Sequence, residues 1–136
     1  MIFTFILNLI MYFAVSQSVQ INHIGLKSTE LKEIMENQEC DFFFDKELDL
    51  KKAKIIKYID ELETKTLIYV FDKQDFCKYY MVMYDYLHYN SVIKDLDSTC
   101  NKIAEDEWIE TFAGTEFNKL LIKDDWYFTV ITRKAN

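Results

Sequence analysis

The chain has no proline and only two glycines in its 136 residues. That removes several classes of structure at once. There is no Pro- or Gly-rich linker, no collagen-like repeat, and no Gly-rich phosphate loop of the P-loop or dinucleotide-binding kind. The length suits one domain. Hydrophobic residues are 50% and charged residues 29%, which is not the balance of a disordered chain. Aromatics reach 16% and are expected to dominate the core.

The formal net charge is −7, from 23 acidic and 16 basic residues. Such a chain repels phosphate backbones, and no Lys/Arg patch with interleaved aromatics overrides that repulsion. Nucleic acid is therefore not an expected partner. Nor is an anionic membrane surface bound through a basic patch. No long run of like charge marks an interaction tail.

Met1 to Val15 (MIFTFILNLIMYFAV) carries no charged side chain. As a helix of about 14 residues it would reach roughly 21 Å, short of a hydrocarbon core of about 30 Å. Ala14-Val15-Ser16 follows, with small residues where a signal peptidase reads, and then polar Gln17 and Ser18. The pattern reads as a secretory signal over residues 1–16, followed by a single α+β domain over 17–136. It lacks a basic n-region, since the first basic side chain is Lys27. A short uncleaved anchor and a buried element of the fold are the alternatives. Cleavage leaves no stable membrane span and makes the protein secreted or periplasmic.

Gln17 to Lys27 reads as a short strand or extended arm. Ser28 can cap a helix, with Glu30 and Glu33 near its positive end, and Leu31, Ile34 and Met35 at helical spacing. A helix is expected over Thr29 to Gln38. Cys40 to Asp45 reads as a Phe-rich loop that plugs the core. A second helix is expected from Asp49 to Glu63, where Leu48, Ile55, Ile56, Ile59 and Leu62 fit a 3.6-residue period. Its early lysines and late acids oppose the macrodipole.

From Thr66 the texture becomes β. Thr66 to Phe71 and Phe76 to Tyr84 form a hairpin about the polar turn at 72–75. Asp85 to Ala104 then carries one helical stripe: Tyr89, Val92, Ile93, Leu96, Cys100 and Ile103. Trp108 to Phe112, Phe117 to Lys123 and Trp126 to Thr132 read as a three-strand meander, with Gly114 free to take positive φ in its first turn. No internal repeat is visible. The expected fold is α+β: an antiparallel sheet of about five strands, with one long helix on one face and two N-terminal helices.

Strand parity groups Cys77, Tyr79, Met81 and Met83 on one face of the second strand. It places this face and the Trp126, Phe128 and Val130 face of the last strand under the long helix. The opposite face, still apolar, then serves as a binding surface unless the N-terminal helices cover it. The candidate contact residues are Lys78, Tyr80, Tyr84, Tyr127 and Arg133.

Few motifs point to chemistry. His23 and His88 are too sparse for a His-rich metal site, and no metal or cofactor is expected. A nucleophile pair of Cys77 or Cys100 with His88 lacks an orienting third group. Asp45 to Asp49 resembles the opening of a calcium loop, but Leu50 and Ile56 stand where Gly and Glu are needed. Asp95, Asp97, Glu105, Asp106 and Glu107 read as a solvated helix face and exit loop. No Ser sits in a nucleophile elbow. Among Cys40, Cys77 and Cys100, parity and periodicity point Cys77 and Cys100 toward one another, as a candidate disulfide or as two buried thiols. The expectation is a small exported, non-catalytic binding or structural module whose partner is a protein, an envelope component or a small ligand. A small enzyme without a recognisable motif and a thiol-redox or stress-responsive protein are the alternatives.

Overall fold

A computed structural model describes residues 21–136. The secretory-signal reading of 1–16 lies outside the described residues. The fold is one eight-stranded antiparallel sheet with two short helices, not a five-strand sheet with a long helix and two N-terminal ones. Strands β1 (Phe42–Asp49), β2 (Lys54–Asp60), β3 (Lys65–Phe71) and β4 (Cys77–Asp85) form one meander. Strands β5 (Asn101–Ala104), β6 (Glu107–Phe112), β7 (Thr115–Lys123) and β8 (Tyr127–Lys134) form a second. The sheet order is β1-β2-β3-β4-β8-β7-β6-β5, so the last strand of each meander pairs with the other at the centre. Helix α1 (Ser28–Asn37) precedes the first meander and α2 (Tyr89–Thr99) the second. Each half is thus a helix followed by four strands, although the sequence shows no repeat.

Both helices lie on one face. Val82 and Val130 are cross-strand partners, so they point the same way. Val82 belongs to the cluster under α1 with Leu31, Met35, Leu67 and Tyr69, and Val130 to the cluster with Leu96 of α2, Trp108 and Phe128.

The expected second helix over 49–63 is instead mostly β2. Ile55-Ile56-Lys57-Tyr58-Ile59 is apolar at both odd and even positions, so it satisfies a helical period and a strand equally well. Pairing with β3 in register from Lys54↔Phe71 to Ile59↔Thr66 decides for the strand. The Phe-rich loop over 40–45 is largely strand β1, antiparallel to β2. The long helix of 85–104 is a 3-10 turn (Tyr86–His88), then α2, then β5. Helix α2 stops at Thr99, where the Ser98 and Thr99 hydroxyls donate to the Asp95 carbonyl at 3.0 and 2.7 Å and compete with the helical bond there.

With so little glycine, non-glycine residues take left-handed backbone at Glu63, Asp75, Asp106 and Ala113, all at turns. Ala113 and Gly114 both have positive φ between the paired Phe112 and Thr115, the geometry of a type I′ hairpin.

Strand parity on β4 is inverted relative to the sequence reading. The β3–β4 register shifts between Val70 and Phe71, which pair with Tyr79 and Cys77, leaving Lys78 as the extra residue of a bulge. A parity count begun at Cys77 therefore slips by one. Cys77, Tyr80, Val82 and Tyr84 face the helices, and Tyr79, Met81 and Met83 face away. On β8, Phe128 and Val130 are buried under α2, but Trp126 stands in the turn before the strand, 87% exposed.

Candidate functional site

The five contact residues expected from sequence do not share a surface. Tyr80 is buried under the helices, and Tyr84 stacks on Phe128 at 5.1 Å between ring centroids. Lys78 is exposed at the bulge. Tyr127 and Arg133 alternate with the buried Phe128, Val130 and Thr132, so they lie on the opposite side of the sheet from Tyr80 and Tyr84. The binding face drawn from parity is thereby split in two. The candidate disulfide residues also stand apart: Cys77 is in the cluster under α1, and Cys100 packs against the cluster under α2. Cys40, Cys77 and Cys100 are free thiols, and burial pushes the Cys77 thiol up to about 12.

The helix side contains a row of polar groups running across the sheet. Tyr69, Tyr80, Thr132, Lys119 and Trp108 are successive cross-strand neighbours from β3 to β6. Lys119 lies 3.3 Å from Glu110, with side-chain exposures of 13% and 14%, and 5.9 Å from the centre of the Tyr80 ring. Burial alone would lower the Lys119 ammonium, but Tyr80 and Glu110 beside it raise it above its usual range. The lysine is therefore a permanent cation with its counter-charge attached. It holds β6, β7 and β4 in register rather than offering a free base. At the other end of the row, His23 Nδ1 sits 2.7 Å from the Tyr69 hydroxyl, and burial drops this imidazole to about 4. It is neutral at physiological pH and packed into the core of the first half.

The side away from the helices is different in kind. A groove of about 440 Å³ runs over β1 to β4, lined by Leu48, Ala53, Ile55, Ile68, Val70, Tyr79, Met81 and Met83 with Thr66. Its charged lining is Lys46 and Lys57, and Asp45 lies 3.4 Å from Lys57. Beyond the groove the same face continues through Ile131 of β8 and Leu120 of β7, paired in register with Met81. Among the described residues no helix covers it. Sequence reasoning missed this face because the Lys78 bulge reversed the parity. The signal that marks it is the pair Met81 and Met83, flexible thioethers suited to a surface that must adapt to a partner.

Compared with known proteins, the chain matches no family model, no curated protein and no solved structure. Among the described residues no helix is long and apolar enough to cross a membrane, and no cluster of His, Cys, Asp or Glu is arranged to hold a metal ion.

Proposed function

We propose that the protein is a small exported, non-catalytic binding module that holds its partner on the open face of the sheet. One observation carries the reading: an apolar groove across four strands, opposite the helices, with Met81 and Met83 in its lining and two lysines as its charged lining. Ile55, Ile68, Tyr79, Met81 and Met83 are only half-buried, and the apolar surface they leave in contact with water costs free energy unless something covers it. Lys57 is answered by Asp45 at 3.4 Å, which leaves Lys46 as the groove cation that can meet an acidic group on an apolar segment or molecule. Export rests on the uncharged stretch Met1 to Val15 and its Ala14-Val15-Ser16 exit. The non-catalytic reading is supported by the helix-side polar row, where the Lys119 charge is answered by Glu110.

A photo-crosslinking side chain placed at Met81 tests the proposal in the exported fraction of the producing cells. A discrete adduct is expected at 81, absent from the same label placed at Lys94 on α2, and lost when Ile68→Lys is added. Equal labelling at 81 and 94, or an adduct indifferent to Ile68→Lys, would sink it.

A further inference from the structure

Strand β1 is an outer strand of the sheet, and among the described residues nothing pairs with its free edge. It is eight residues long, and its side chains are poorly covered: Phe43 is 58% exposed and Phe44 56%, with Leu48 also exposed. A long outer strand carries a row of unused N–H and C=O groups and is a template for pairing with another strand. The opposite edge, β5, is four residues long, half the length of β1. Both outer strands carry a bulge, so length and the residue order are what single out β1.

The residue order on β1 says what continues it. The strand reads Phe42-Phe43-Phe44-Asp45-Lys46-Glu47-Leu48-Asp49, and its register with β2 skips Asp45, the extra residue of a bulge. Lys46 lines the outer groove, and Asp45 reaches Lys57 of that same groove, so both charges lie on the outer side. Phe43 and Leu48 share that side through Ile59 and Ile55, while Phe44 and Glu47 lie on the helix side through Tyr58 and Ile56. The strand is therefore symmetric about the point between Asp45 and Lys46.

We propose that β1 pairs antiparallel with β1 of a second copy of this chain about a two-fold axis through that point. The pairing sets Asp45 opposite the second copy's Lys46 twice, Phe43 opposite the second copy's Leu48 twice, and Phe44 opposite the second copy's Glu47 twice. Every pair then lies on a common face, as antiparallel neighbours must. In a regular strand a two-fold axis can only place a residue opposite itself. The bulge is what permits an axis between two residues. A slip of one residue either way sets Lys46 against Lys46 or Asp45 against Asp45, and puts the residues next to them on opposite faces. The result is an isologous dimer with one continuous sheet, in which the outer grooves of the two copies adjoin along β1.

Sedimentation of the purified protein, expressed from the full chain, tests the inference. The wild type is expected to sediment at twice the chain mass. Lys46→Glu and Asp45→Lys each place like charges opposite one another twice, and each should raise the dissociation constant on the order of tenfold or more. An equimolar mixture of the two variants restores opposite charges at both positions, so it should recover the dimer as a heterodimer. Circular dichroism confirms that each variant stays folded, and Lys46→Glu leaves the Asp45–Lys57 pair in place. A wild type that is monomeric at every soluble concentration overturns the proposal, whatever else binds β1. So does a dimer that both single variants leave intact, or a mixture that stays monomeric.

Discussion

The two halves of the sheet have the same order of elements, a helix and then four strands, and hold their helices by different means. In the first half, α1 is anchored through polar contacts. The Ser28 hydroxyl donates to Asp75 at 2.6 Å, Lys54 donates to the other oxygen of the same carboxylate at 3.0 Å, and backbone bonds join Gly25 and Leu26 to Cys77. Burial alone would raise the Asp75 carboxyl, but the bonds from Ser28 and Lys54 hold it below its usual range. Beneath lies a broad cluster that includes Leu31, Ile56, Leu67, Tyr69 and Phe71. In the second half, α2 rests on a smaller cluster of Leu96, Trp108, Leu121, Phe128 and Val130. One indole bond, from Trp108 Nε1 to Asp97 at 3.0 Å, ties the helix to the sheet. The topology does not require a particular set of residues. It requires one apolar helix stripe over a sheet face, and the two halves meet that need separately.

Trp108 concentrates in one side chain what the first half spreads over many. Trp108→Ala should therefore cost about 3–5 kcal/mol in denaturant titration. Hydrogen exchange should then rise first in α2, β5 and β6, with β2 and β3 still protected. Equal loss of protection in both halves would break the comparison.

Acid should single out the first half. His23 is lowered in the folded protein from 6.5 to about 4, so the unfolded chain binds its proton more readily. Its contribution is complete above pH 6.5 and is lost as pH falls from there toward 4. The loss by pH 4 is on the order of 3 kcal/mol. His23→Phe should flatten that part of the stability–pH curve, and an unchanged curve would reject the assignment.

Smaller effects sharpen the contrast. Ser28→Ala should cost about 1 kcal/mol, because it removes a donor to Asp75 and leaves the α1 network one bond short. Glu63→Gly in the first half and Ala113→Gly in the second relieve left-handed backbone at a turn, and each should raise stability by up to about 1 kcal/mol in thermal melts. Trp126→Ala should change stability by less than about 0.5 kcal/mol, since the side chain is almost fully exposed. A large loss there would return Trp126 to the core, where strand parity had put it.

Legibility followed local density. Thr66 to Phe71 and Phe76 to Tyr84 are branched and aromatic throughout, with polar Asp72 to Asp75 between them, and they form β3 and β4. The three strands after residue 107 were readable for the same reason. The burial of His23 against Tyr69 was not readable, since 46 residues separate them. The open face was out of reach because it depends on the Lys78 bulge, which exists only where β4 meets β3.

By itself the sequence determined the texture of this protein. It set where β-forming residues crowd together, where turns interrupt them, and that the chain is acidic, aromatic and almost without glycine. These are properties of neighbours along the chain, and local sterics express them without help. Tertiary structure alone decided that Ile55 to Ile59 is strand rather than helix, that α2 ends at Thr99, and that Met81 and Met83 face outward. Each of those outcomes depends on a partner strand or helix distant in sequence, because backbone hydrogen bonds in a sheet are made between segments and a one-residue shift in their register turns a whole face over.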